Sequence, residues 1–253
     1  MTITRPAPLL EGRLLRRRQR FLADVELPRG GIVVAHCVNT GAMEGLTRPG
    51  TRVWLSRAAN PDRKLKFTWQ LAEVDGAIIG VDTSAPNRLV KELLARRALP
   101  WLGAFDEVLP EQRYGERSRV DFILRKGTRR LFLEVKNCHL VYPDRRAYFP
   151  DSVSERAAGH LEELAKVVDA RTRAHVLFFC QLPGVKAVRP SDAHDPVFAE
   201  TARRVARAGV RFSAICMHQD EQSITIERRV PVDLKPYRTE PMAAWKAANR
   251  KAA

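Results

Sequence analysis

The sequence predicts a two-domain protein of mixed class: an all-β domain over residues 1–83, an α/β domain over 84–234 and a basic tail over 235–253. Three observations predict it. Short apolar segments broken by turn-forming residues crowd the first part of the chain. After Ser84, strand-like and helix-like periods alternate. Between Val120 and Lys136 the chain reads VDFILRKGTRRLFLEVK, two runs with the period of strands joined by a glycine-containing turn.

From Leu10 to Val81 the strand signals are FLADVEL, GIVVAHCV, TRVWLS, KFTWQLAEV and GAIIGV, separated by PRGG, RPG, an NPDRK loop and a DG turn. Five short strands without a long helix fit a small, partly open barrel of the oligonucleotide-binding (OB) type, although other small all-β modules share that count. Trp54, Phe67 and Trp69 fall in these strands. Aromatic residues in strands usually pack the core, whereas OB barrels stack bases on exposed ones. Asn39-Thr40-Gly41 reads as a turn with glycine at positive φ. Its amide and hydroxyl also suit contact with phosphate or base, or a place between the two domains.

At SAPN, where Ser84 or Asn87 can cap, a helix begins: Leu89, Val90, Leu93 and Leu94 form one stripe, with Arg88, Glu92 and Arg96 elsewhere. A strand over Val108–Tyr114 and the two strands of the opening hairpin follow. Next come a long helix from Ser154 to Arg171, the strand AHVLFFCQL, a helix from Pro196 to Ala208, and the strands VRFSAICMH and SITIERRV. This alternation predicts a mixed sheet flanked by helices. The tail, with Trp245, Lys246, Arg250 and Lys251, reads as a flexible basic appendage or a short surface helix.

The hairpin carries the chemistry. Glu134 and Lys136 are two apart on a strand and share a face. Pairing Leu124 with Leu131, with Arg125 to Arg130 in the connection, brings Asp121 opposite Glu134. Two adjacent carboxylates repel unless a cation lies between them. Mg²⁺, or Mn²⁺ in its place, fits such a pair, because it prefers oxygen and is held by one or two carboxylates together with phosphate oxygens. A lysine beside them is placed to orient water or offset phosphate charge. An ordinary exposed ion pair, worth little, is the other way to read Glu134 and Lys136.

Composition narrows the partner. Lys and Arg total 44 against 29 Asp and Glu, a net charge of +15. Such a surplus favours a polyanion. The arginines cluster, as at Arg13, Arg16, Arg17, Arg18 and Arg20, and guanidinium suits bidentate phosphate contact. No apolar run reaches membrane-spanning length and no basic amphipathic helix stands out, so a membrane partner is not expected. Cys37, Cys138, Cys180 and Cys216 are isolated within apolar segments, there is no CxxC, and the amino terminus has no apolar signal core. Buried thiols and a cytoplasmic protein are therefore expected, without a zinc site.

Four ordered blocks resemble the sugar fermentation stimulation protein A (SfsA) family: HCVNTGAM, TSAPNRLVKELL, YGERSRVDF with LEVKN, and YFPDSVSERAAGHLEEL. The resemblance implies an OB-like barrel joined to a restriction-endonuclease-like domain of the PD-(D/E)XK type that binds DNA. RNA stays open as a partner. By position it implies that Asp121 and Glu134 ligate metal, that the Val135 carbonyl completes the inner shell and that Lys136 is the catalytic lysine. Glu92 is then the candidate third acid. Arg156 and His160, four apart on one helix face, point at phosphate or at the attacking water. Arg119, within YGERSRVDF, joins Arg16, Arg17, Arg18, Asn39 and Arg156 as candidate nucleic-acid contacts. Two departures from the pattern remain: no proline precedes Asp121, and Ala157 stands where the family usually has glycine. A metal-dependent phosphodiesterase is the leading expectation. A non-catalytic DNA-binding regulator of sugar-utilisation genes is the alternative.

Overall fold

The computed structural model describes residues 1–115, 118–142 and 144–250. In chain order its elements are β1 (Thr2–Thr4), β2 (Leu10–Arg18), β3 (Leu22–Glu26), β4 (Ile32–His36), β5 (Arg52–Arg57), β6 (Phe67–Val74), β7 (Ala77–Gly80) and α1 (Ala85–Ala95), then a 3-10 turn at Pro100–Leu102. There follow β8 (Glu107–Tyr114), β9 (Ser118–Lys126), β10 (Arg129–Cys138), β11 (Leu140–Val141), β12 (Arg146–Phe149), α2 (Glu155–Lys166) and β13 (Thr172–Cys180). The last are β14 (Ala187–Pro190), α3 (Pro196–Arg207), β15 (Arg211–Gln219), β16 (Ser223–Val230) and α4 (Glu240–Arg250).

The first domain is a barrel. Its strands run in the order β4-β3-β2-β5-β6-β7, and parallel pairing of β4 with β6 closes five of them, with β7 appended as a hairpin partner. The five barrel strands are not the five expected segments. Leu10–Arg18 is a central strand, and its arginines hide this, because only Gly12 and Leu14 turn inward. Gly12 lies so close to Val25 and Glu26 that a Cβ there would clash. Trp54 and Trp69 are buried at 2% and 0% exposure, so both are core residues, while Phe67 is half-buried beneath the Arg57 guanidinium.

The second domain is built on a seven-stranded sheet in the order β1-β16-β15-β13-β10-β9-β8, with β10, β13 and β15 parallel. Leu131, Leu133 and Val135 of β10 face α1 and join Leu89, Val90, Leu93 and Leu94. Phe132 faces the other way, toward Leu161 and Leu164 of α2 and the apolar face of α3. Glu134 and Lys136 therefore emerge on the α2 side. All four cysteines are buried and free. Among the described residues, no helix is long and apolar enough to cross a membrane.

Several boundaries differ from expectation. α2 stops at Lys166 rather than Arg171, because β-branched Val167 and Val168 precede a turn in which Asp169 Oδ1 accepts from the Arg171 and Thr172 amides, each at 2.7 Å. The hairpin connection is shorter than Arg125–Arg130: Arg125 pairs Arg130 and Lys126 pairs Arg129, leaving Gly127 and Thr128. Ser84 is the N-cap of α1, but its side chain makes no cap bond. Instead Asp82 Oδ1 takes the Ser84 amide at 2.8 Å and hydroxyl at 2.6 Å. The small sheet β11-β12-β14 has no counterpart among the expected strands. In the tail, α4 places Met242 against Tyr142 and Tyr148, whereas Lys251 lies outside the described residues, as do the side chains of Trp245, Lys246 and Arg250.

The two domains are joined by the Asn39–Gly41 turn. Asn39 Oδ1 accepts from the Gly41 amide at 2.8 Å, and its Nδ2 meets His139 Nε2 at 3.4 Å. Asp151 bonds His139 at 3.3 Å and the Met43 amide at 3.3 Å. A Cβ on Gly41 would meet Asp151 Oδ2 at 2.6 Å, so only glycine allows this approach. Burial opposes ionisation of Asp151, but the His139 and Met43 contacts outweigh it and hold its pKa at about 2. A depressed carboxylate stabilises the fold above its unfolded pKa, and that contribution is lost as pH falls through the folded one. Asp151→Asn should therefore cost about 2 kcal/mol at pH 7. Urea denaturation should show the difference from wild type shrinking progressively as pH falls below about 4.

Candidate functional site

The β9–β10 ladder holds the expected Leu124–Leu131 register and ends at Phe122–Leu133. Beyond that point the strands part. Asp121 Oδ2 there replaces a ladder carbonyl and accepts from the Val135 amide at 2.7 Å. N–H and C=O of one strand residue point to the same side, so the Val135 carbonyl also faces Asp121. Asp121 Oδ1 accepts from Asn87 Nδ2 of α1 at 2.6 Å.

Glu134 is 3% exposed. Its Oε1 accepts from Lys136 Nζ at 2.7 Å and meets His160 Nδ1 of α2 at 2.8 Å, whereas its Oε2 is buried with no hydrogen-bond partner among the described residues. A buried carboxylate oxygen without a partner is costly. The Tyr114 hydroxyl is also buried without a partner among the described residues, and burial together with Glu134, Glu163 and Asp121 pushes its pKa up.

The two carboxylates titrate in opposite directions. Burial and the neighbouring Glu134 charge raise Asp121 to about 6, against the weaker pull of the Val135 amide, Lys136 and Asn87. Burial also opposes ionisation of Glu134, but Lys136 and His160 overcome it and leave its pKa lowered. Glu134 is thus the settled anion of the pair and Asp121 the strained one.

Among the described residues, no group of three His, Cys, Asp or Glu side chains forms a metal cage. The donor set is of another kind: the orphaned Glu134 Oε2, the Asp121 carboxylate and the Val135 carbonyl. Two carboxylates and one backbone oxygen, with positions left for water and phosphate, fit Mg²⁺ or Mn²⁺.

Beside the cluster lies a cleft of 940 Å³ lined by Tyr114, Arg119, Arg156 and His160 among others. The structure therefore gathers Asp121, Glu134, Val135, Lys136 and His160, with Arg119 and Arg156 along the adjoining cleft. It does not bring Glu92 to them. At about 100° per residue, five positions separate Glu92 from Asn87 by roughly 140° of helix. Glu92 consequently pairs with Arg96 at 2.5 Å on another face, and Asn87 is the α1 residue that reaches Asp121.

The barrel candidates have structural work. Arg16 and Arg18 bond Asp24. Arg17 donates to the carbonyls of Arg20, Asn39 and Gly41, pinning the turn that joins the domains. Asn39, 3% exposed, is part of that junction rather than an accessible contact. Asn87 and Tyr114 escape sequence reasoning as site residues. Their only signals are that each lies in a family-like block, TSAPNRLV and YGERSRVDF.

A family model described as the sugar fermentation stimulation protein RE domain matches residues 84–223, and one described as the SfsA N-terminal OB domain matches residues 15–81. A sugar fermentation stimulation protein homolog of Maricaulis maris is 44% identical over 230 residues, covering 90% of this chain and 98% of the relative. One from a Marinomonas species is 42% identical over 230 residues, covering 90% and 89%. The solved structure of SfsA from Pyrococcus furiosus in complex with Ca²⁺ is similar at a TM-score of 0.84 and 27% identity, covering 92% of this chain and 99% of that one.

Proposed function

The chain belongs to the sugar fermentation stimulation protein family, and we propose that it binds DNA and hydrolyses phosphodiester bonds with Mg²⁺ or Mn²⁺ at Asp121 and Glu134. One observation carries this reading: Glu134 gives one oxygen to Lys136 and His160 and keeps the other buried and unpartnered. That is the arrangement of a carboxylate held ready for a cation. The Ca²⁺ in the Pyrococcus relative supports a divalent ion in this family.

In the proposed chemistry Asp121, Glu134 and the Val135 carbonyl hold the ion. When bound, it would supply charge neutralisation of the phosphodiester and acidification of the attacking water. Lys136 offsets charge developing on the phosphate. His160, on the cleft side of Glu134, is placed to exchange a proton with water or with the leaving oxygen. Arg119 and Arg156 fix the flanking phosphates, which positions the strand without reading its sequence. Asn87 orients Asp121.

The test is incubation of the protein with labelled single- and double-stranded DNA and RNA, with and without Mg²⁺ or Mn²⁺, beside Asp121→Asn. Ion-dependent products from wild type alone are expected, with salt-sensitive binding kept in the variant. Binding that ignores divalent ions, with no product on any substrate, would favour the regulator instead. Arg156→Glu should weaken binding by at least about fivefold in a polarisation assay, while leaving thermal stability within about 0.5 kcal/mol.

A further inference from the structure

A second hollow, of 480 Å³, opens at the far end of the β9–β10 hairpin, around the Gly127–Thr128 turn. Its rim carries Lys126, Arg129, Arg130, Arg171 and Arg173, all exposed, and among the described residues no acidic one lines it. Its floor is apolar, formed by Leu102, Phe105, Leu124 and Leu131. Arg130 donates to Thr172 Oγ1 at 3.2 Å and Arg173 to the Leu102 carbonyl at 2.9 Å. Among the described residues, none of the five has a carboxylate within ion-pair distance. The charged rim elsewhere on this hairpin behaves differently, since Arg125 is paired with Glu107 at 3.0 Å.

Five cations, none in an ion pair among the described residues though Arg130 acts electrostatically on Asp169, repel each other and concentrate positive potential there. The loop is shaped to keep them close. Gly103 has φ +90° and faces the Arg173 guanidinium, where a Cβ would meet Nη2 at 3.2 Å. The Arg97 guanidinium lies 3.9 Å from the Phe105 ring centroid and holds that part of the floor.

We propose that this hollow binds a nucleoside phosphate, its phosphates on the Arg129 and Arg171 side and its base or sugar on the apolar floor. Guanidinium groups match phosphate oxygens in pairs, and a pocket with an apolar lining and a few charged groups is the usual form of a small-ligand site. The ligand is either a free nucleotide or one nucleotide of a nucleic-acid strand. The hollow is separate from the cleft. Leu124 and Leu131 belong to the α1 face of the sheet, whereas His160 reaches Glu134 from the α2 face.

The experiment measures binding of a fluorescent adenosine triphosphate analogue, inorganic triphosphate and a short labelled oligonucleotide, all in EDTA so that no divalent ion acts at the carboxylate site, and in an Arg156→Glu background so that the cleft's phosphate contact is weakened. Arg129→Glu with Arg171→Glu should weaken binding at least tenfold while leaving the melting temperature unchanged. Ala104→Asp, which adds a carboxylate at an exposed lining position, should weaken it without touching a cation. Arg204→Glu with Arg207→Glu on α3 makes the same change in net charge and should have an effect below threefold. Preference for the triphosphate analogue identifies a free nucleotide, and preference for the oligonucleotide identifies a strand. No binding of any probe at millimolar concentration overturns the proposal. So does equal weakening by the α3 pair. Because cleavage is not read, failure here leaves the carboxylate site untouched, and failure of cleavage leaves this hollow untouched.

Discussion

Asp121→Asn is expected to remove ion-dependent cleavage, by a factor of at least about 10³ if the ion supplies most of the charge stabilisation, and yet to make the metal-free protein more stable. The second effect follows from the raised pKa of about 6, caused first by burial and then by Glu134. A carboxyl whose folded pKa lies above its unfolded one binds its proton more tightly in the native state. Stability therefore falls as pH rises between the two values, and stays lower above both. At pH 7 the ionised Asp121 costs up to about 3 kcal/mol relative to a neutral group of the same shape. Asparagine keeps that shape. Its oxygen can accept from the Val135 amide, and its nitrogen can donate to Asn87 once that side-chain amide turns over.

Urea denaturation in EDTA at pH 7 should thus show the variant more stable than wild type, with the gap closing toward about pH 4. Adding Mn²⁺ should reverse the order, because only wild type gains from the ion. A variant less stable than wild type in EDTA would mean that Asp121 is not the strained member of the pair.

The part of this site that can be read from sequence is the part set by period. Alternation allows Leu124 to pair with Leu131 among other registers, and the observed ladder has that pairing. It also puts Glu134 and Lys136 on one face, where they bond each other. The fold class follows from the same signals, with the change of period at Ser84 marking the start of α1. What stays hidden depends on contacts distant in the chain. Helical phase separates Asn87 from Glu92, but only the packing of α1 on β10 decides which of them meets Asp121. Arg17 and Asn39 resemble nucleic-acid contacts until His139 and Asp151, about a hundred residues later, close around the turn. Strand β2 is obscured because its outward arginines outnumber its two inward residues. Asp121 itself shows how function departs from regular structure: its side chain takes the Val135 amide where a strand carbonyl would otherwise pair.

Glu134→Gln should abolish cleavage as Asp121→Asn does, but with the opposite effect on stability. Glu134 is 4% exposed at its side chain and Lys136 is 12% exposed, so their contact is largely withdrawn from water. Glutamine can still accept from Lys136 and His160, but it removes the negative charge. A buried cation then faces a neutral amide, and breaking a buried pair in this way costs about 3 kcal/mol. The lowered pKa of Glu134 gives the same sign: its contribution is present above the ordinary carboxylate range and is lost as pH falls. Adding Lys136→Met should recover part of the loss, since the double variant no longer sets a buried ammonium against a neutral amide, and a double-mutant cycle isolates that coupling. The two carboxylates are also tied to each other. Glu134 is the second cause of the raised Asp121 pKa, so in the Glu134→Gln background the stability gained from Asp121→Asn should shrink, and the pH window over which it develops should contract. If instead Glu134→Gln and Asp121→Asn shift stability by the same sign and independently, the two carboxylates do not share a site, and no single ion can be held between them.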